Sequence, residues 1–222
     1  MKTKWVVGLL TMAALAVAAV AGTASATTLC EAQKEIVCPA GERYTPPTKL
    51  QGSSPFGVPF ELVFGEVTVE CNESKIAAET KTNKGPGLEL KTEIGVWSNK
   101  QNGGECETQG GIKCPTTQWT GLPYTENEVH ITYTASGNGN GKLRIEKSGT
   151  LEVVCSGVKC IYSKPIELEF KGGKAGAAAL KASSVSLDKQ AGSNIFCAKT
   201  ATLSAEYTLS EPAKAVWVSK EP

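Results

Sequence analysis

The chain has 222 residues, 41% of them hydrophobic and 20% charged, with 23 basic residues against 22 acidic ones. A chain so nearly neutral has no long-range field to draw nucleic acid, and its only arginines, Arg43 and Arg144, leave little for bidentate phosphate or base contacts. With a single histidine, His130, and a single aspartate, Asp188, any Ser-His-Asp or Cys-His machinery would have to be built on His130.

The N-terminus sets the expected compartment. Lys2 and Lys4 precede an apolar run from Trp5 to Val20, and Ala24-Ser25-Ala26 supplies the small residues of a cleavage site. This is the pattern of a secretory signal peptide over residues 1–26; the run is short for a span, which needs about 20 residues, so no transmembrane segment is expected after cleavage. Lipidation at Cys30 fits less well, because bulky Leu29 stands before it. Cleavage removes Lys2 and Lys4 and no acid, which leaves a net charge of −1. Residues 27–222 are then one β domain, secreted or held in the cell envelope. All eight cysteines, Cys30, Cys38, Cys71, Cys106, Cys114, Cys155, Cys160 and Cys197, lie in it. An even count in an exported chain predicts disulfides. Zinc competes poorly, since there is no Cys-x-x-Cys pair and His130 has no partner at ligand spacing. No metal and no cofactor are expected.

In chain order, a local bridge suits Cys30 and Cys38, and Pro46-Pro47 hold the next segment extended. Gly52 to Pro59 reads as a loop. Alternation begins at Phe60, Leu62 and Phe64 and resumes after Gly65 at Val67, Val69 and Cys71. Lys84-Gly-Pro-Gly87 is a turn, followed by Leu88, Leu90 and Ile94. Asn99 to Gly111 is the longest loop candidate. Val129, Ile131 and Tyr133, the turn Gly137-Asn-Gly-Asn-Gly141, and Leu143 with Ile145 make the clearest hairpin. Gly149 to Tyr162 reads as two strands around a tight turn and carries Cys155 and Cys160. Ile166, Leu168 and Phe170 alternate with Glu167, Glu169 and Lys171. The alanines of 175–182 allow a turn or two of helix, and the chain closes on Leu203, Ala205, Tyr207, Leu209, Val216 and Val218. About a dozen short strands without a long helical pattern predict an antiparallel β-sandwich, Ig-like or jelly-roll-like, with disulfides and little helix.

Cys71 and Cys155 both end a Gly-started strand, which suggests two related halves at about 60–125 and 126–222. On that reading the bridges are Cys71–Cys106, Cys155–Cys197, Cys30–Cys38 and Cys114–Cys160. The succession Val67-Thr-Val-Glu-Cys71-Asn-Glu-Ser74, Leu122-Pro-Tyr124, Val154-Cys155 with Cys160, and Ala205-Glu-Tyr207 with Pro212 and Trp217-Val218 resembles a family of uncharacterised, cysteine-containing, β-rich secreted proteins of actinobacteria. The resemblance implies a bacterial secreted β protein and carries no activity.

Few side chains suggest chemistry. His130 faces outward in the predicted hairpin, opposite Arg144 or Glu146, as a surface cross-strand residue. Glu167 and Glu169 share a face that alternation explains as solvated, and no catalytic residue is assigned. Trp119 and Tyr124 are the binding candidates, as aromatics in a Pro/Gly-rich loop; Trp97 and Trp217 read as core. The expected function is a non-enzymatic binding or structural protein with an unknown glycan or protein ligand. Two alternatives stand beside it: a secreted carbohydrate-active hydrolase using a glutamate pair, and a protease inhibitor presenting the loop from Cys106 to Pro115.

Overall fold

The computed structural model describes residues 27–33, 37–81, 88–94, 105–120, 129–134, 138–146 and 149–220, with the backbone alone for 88–94. Among the described residues there are seventeen strands, one three-residue 3-10 turn and no α-helix. The first strand, β1 (Thr27–Cys30), stands apart from the main sheet and pairs with the last, β17 (Trp217–Lys220).

The other fifteen line up as eight staves. β2 (Lys49–Ser53) and β3 (Phe60–Phe64) form the first, β4 (Val67–Cys71) and β5 (Lys75–Thr80) the second, and β6 (Leu88–Ile94) and β7 (Cys106–Thr108) the third. The fourth holds β8 (Lys113–Cys114), β9 (Thr116–Thr120) and β10 (Val129–Tyr133). The fifth is β11 (Gly141–Ile145) with β12 (Thr150–Cys155), and the sixth is β13 (Val158–Ser163) with β14 (Ile166–Lys171). β15 (Ala179–Lys189) and β16 (Thr200–Glu211) are single long strands.

Each stave runs antiparallel to the next, and the eighth returns to the first. β16 pairs with β2 through Thr208↔Ser53 and with β3 through Leu203↔Leu62. The sheet therefore closes as a meander barrel, and its facing walls are the two layers of the expected antiparallel sandwich. The ring draws on both proposed halves, and its fourth stave lies on either side of residue 125.

Period-2 alternation builds the interior. Phe60 and Leu62, Leu143 and Ile145, and Leu203 and Ala205 point inward and are buried, while the residues between them are not. Eight strands give a lumen that side chains just fill. Predicted hairpins fall in register: Val129↔Ile145 and Ile131↔Leu143 in one, Cys155↔Val158 in the other. Ser156 and Gly157 close the second with φ of 47° and 79°, the doubly left-handed turn that two-residue hairpins favour. The alanine-rich stretch is strand, not helix. Ala177 N–H donates to the Lys174 carbonyl in a turn, and Ala179 onward pairs with both β14 and β16. Ladder pairing on both sides outweighs alanine's helix propensity.

Turns alternate between the two ends. At one end lie residues 65–66, 109–112, 156–157 and 190–199; at the other lie 138–140 and 172–178. The β1–β17 ribbon crosses this second end. Val218 N–H donates to the Gly139 carbonyl at 2.9 Å, and Tyr133 N–H donates to Thr27 Oγ1 at 3.2 Å.

All eight cysteines are paired, in four bridges: Cys30–Cys38, Cys71–Cys106, Cys114–Cys155 and Cys160–Cys197. The first two match the expected connectivity. The other two correct it, because neighbouring staves decide the partners. Thr116 pairs with Val154, which brings Cys114 beside Cys155. Asn194 N–H donates to the Lys159 carbonyl at 2.8 Å, which brings the 190–199 loop and Cys197 onto Cys160.

Three phenols are buried in this frame. Burial pushes Tyr44, near the charge of Glu31, and Tyr162 from 10.0 up to about 12, and pushes Tyr207 higher still. The folded state holds these protons longer than the unfolded chain does. Their contribution is therefore complete below pH 10.0 and is lost as the pH rises through about 12. Tyr207→Phe should flatten the fall of Tm across that window in circular-dichroism melts; an unaltered slope would count against this origin.

Candidate functional site

Among the described residues, the inner wall at Phe60, Ile76, Trp119, Leu168 and Tyr207 encloses a void of about 20 Å³, the size of a single water. Trp119 lies in this wall, only 8% exposed, so it is not the accessible binding residue that its Pro/Gly-rich neighbourhood suggested. Thr117 and Trp119 share the inward parity of β9, and Trp119 sits opposite Leu151. Its indole N–H has no hydrogen-bond partner among the described residues. Trp217 is half-buried against Gly139 and Gly172, while Tyr124 and Trp97 lie outside the described residues.

The other candidates are dispersed. His130 stands between Arg144 and Glu89 in register, as a cross-strand residue of the outer wall. Glu167 pairs with Lys142, and Glu169 lies between Lys142 and Lys181 in register. Alternating cations explain that face. Asp188 is 3.8 Å from Lys164. The segment around Cys106 to Pro115 is a tight hairpin in which Gly111 N–H donates to the Thr108 carbonyl and Ile112 N–H to Thr108 Oγ1. A turn of this kind offers no extended segment for a protease cleft.

What the outer wall does bring together is a groove of about 270 Å³ between residues 57–59 and the β15–β16 hairpin. Glu61, Ser204, Glu206 and Lys181 line it. Ser204 lies opposite Glu61, and Glu206 follows two positions along the same face. Cross-strand diagonals of this kind hold side chains about 7 Å apart at their bases. Lys181 lies opposite Glu206 and pairs with it at 3.5 Å. On its other flank Glu61 faces Glu70, and Glu70 faces Glu107. Like charges directly opposite each other destabilise a sheet, so the row is an expense that folding alone does not call for. Gln109 Nε2 donates to Glu70 Oε1 at 2.9 Å and offsets part of it.

Phe56 stands next to the groove. Val58 N–H donates to the Pro55 carbonyl, and Gly57 takes φ of 78°, so residues 55–58 form a type II turn with glycine where a left-handed residue is required. The turn leaves the Phe56 ring wholly exposed. Sequence reading passed over Phe56 because the surrounding Gly, Ser and Pro mark a loop. The available signal was a large aromatic at the second position of a Pro-x-Gly turn.

Among the described residues, no group of three or more His, Cys, Asp or Glu side chains is placed to hold a metal ion. No helix among them is long and apolar enough to cross a membrane. No family model, curated protein or solved structure matches the chain.

Proposed function

We propose that the protein is an exported binding module of the cell envelope or extracellular space that holds a glycan on its outer wall. The observation that carries the reading is an acidic outer groove of about 270 Å³ beside a wholly exposed aromatic. Aromatic faces stack on sugar rings, and carboxylates accept hydrogen bonds from sugar hydroxyls. Export is supported on two grounds. Four disulfides suit an oxidising compartment. Residues 1–26 also have the order of a secretory signal peptide, with Lys2 and Lys4, an apolar run and the Ala24-Ser25-Ala26 cleavage motif.

A glycan array read for both retention and product tests this. Retention without released sugar is the expected result; released sugar would instead favour the hydrolase, with Glu61 and Glu206 as its carboxyls. Phe56→Ala and Glu61→Gln should each weaken retention about tenfold. Glu61→Gln should also leave Tm unchanged or slightly higher, because it relieves the repulsion from Glu70. If retention is indifferent to both substitutions, the ligand is not held in this groove.

A further inference from the structure

Of the seven exposed large apolar side chains among the described residues, Val37, Phe56 and Val58 lie elsewhere, and four gather at one end. Val67, Ile112, Ile195 and Phe196 lie in or directly beside the turns at the end of the barrel opposite the β1–β17 ribbon. Ile195 and Phe196 are 86% and 80% exposed, next to each other in sequence, at the tip of the β15–β16 hairpin. The loop beneath them is firmly tied. Ser193 Oγ accepts from Ile161 N–H at 2.9 Å and lies 3.1 Å from the Ile161 carbonyl, and Asn194 Oδ1 accepts from Phe196 N–H at 3.1 Å. Cys197 N–H donates to the Asn194 carbonyl, and the Cys160 bridge anchors the loop's far side. The two side chains are therefore held out by the turn itself.

Charge separates this loop from the rest of the outer wall. Lys189 and Lys199 flank it, and residues 189–199 contain no acid. Lys189 Nζ is held by the Cys197 carbonyl at 3.1 Å, and Lys199 is exposed. The lysines of the neighbouring turns differ: Lys113 pairs with Glu105 and Lys159 with Glu152. The Glu66 carboxylate stands in the adjacent turn, and Glu107 lies opposite Lys113.

We propose that this end of the barrel seats on an anionic phospholipid bilayer. Ile195 and Phe196 enter the boundary between headgroups and acyl chains, Ile112 and Val67 rest at its edge, and Lys189 and Lys199 meet the lipid phosphates. Apolar tips with lysines behind them are the interfacial pattern of proteins that lie on a membrane without spanning it. The shape also favours lipid over a second copy of the chain. Four side chains on three separate hairpins make an interrupted apolar surface, whereas a stable protein interface needs about 800 Å² of continuous area per partner. A bilayer deforms around separate tips. The proposal does not rest on the glycan groove, which lies on the side wall beside a different loop.

Co-sedimentation of the intact protein with unilamellar vesicles tests it, using phosphatidylcholine alone and phosphatidylcholine mixed with phosphatidylglycerol. Binding to the mixed vesicles is expected, with little to phosphatidylcholine alone. The Ile195→Ser/Phe196→Ser double variant should lose about tenfold or more of that affinity. Lys189→Ala/Lys199→Ala should lose most of the preference for the anionic lipid. Both sites are exposed or half-buried, so an unchanged circular-dichroism spectrum shows that the barrel is intact. Phe56→Ser, at the groove, should bind vesicles as the parent does. Failure to bind mixed vesicles would overturn the proposal, as would binding that survives Ile195→Ser/Phe196→Ser. Concentration-dependent self-association that the double variant abolishes, without vesicle binding, would overturn it in favour of a second copy.

Discussion

Removing the Cys71–Cys106 bridge by a double substitution to alanine should lower stability by about 3–4 kcal/mol, and Tm by about 10 °C. The bridge spans 35 residues of sequence. Without it the unfolded chain recovers the freedom of that loop, while the folded state keeps little to replace it. Among the described residues, β4 meets β7 through only Val69↔Thr108 and Glu70↔Glu107, the second of these a like-charge pair. β7 is three residues long and β8 two. Cross-linking therefore holds the third stave where ladder pairing is thin. Urea unfolding of the double-alanine variant measures the loss. A change under about 1 kcal/mol would mean that packing of the neighbouring staves holds β7 unaided.

Gly172→Val should be at least as damaging, at about 3 kcal/mol or more. A Cβ on Gly172 would overlap the Gly139 carbonyl oxygen and lie 2.7 Å from Trp217 Cε3. The first contact is with backbone and cannot be relieved by a rotamer change. Gly172 N–H also donates to Asn140 Oδ1 at 3.0 Å, which fixes the two turns against each other. The side chain would pry the β1–β17 ribbon off the barrel end, so the variant should combine a lower Tm with faster hydrogen exchange in β1 and β17. A variant of parental stability would show that the three segments do not meet as closely as the geometry requires.

How much of this was legible depended on the range of each interaction. Hairpins announced themselves, because Ile131 and Leu143, or Cys155 and Val158, are joined by turn residues whose φ is locally encoded. The Cys30–Cys38 bridge was legible for the same reason. The seam between β16 and the first stave left no such trace, since Leu62 and Leu203 each read as ordinary inward residues of unrelated strands. Cys114 and Cys160 were assigned to each other because internal similarity stood in for neighbourhood; stave order places each beside a different cysteine. Among candidate site residues, Trp119 was misread through the glycine and proline that follow it, although the alternation with Thr117 already marked it as inward. Phe56 and the Ile195-Phe196 pair were missed for the opposite reason: apolar residues outside an alternating pattern look like noise until a turn is seen to hold them outward.

The seam has a consequence for how the chain comes into being. β2 and β3 lie near the start of the barrel sequence, yet one of their flanks belongs to β16, nearly the last segment to be made. A chain delivered from its N-terminus must carry the first stave with a bare edge until the eighth has emerged. Any fragment that ends before Thr200 is therefore an open sheet with two unpaired margins, prone to pairing with its neighbours. In the completed ring β16 covers both margins, β2 and β3 on one side and β15 on the other.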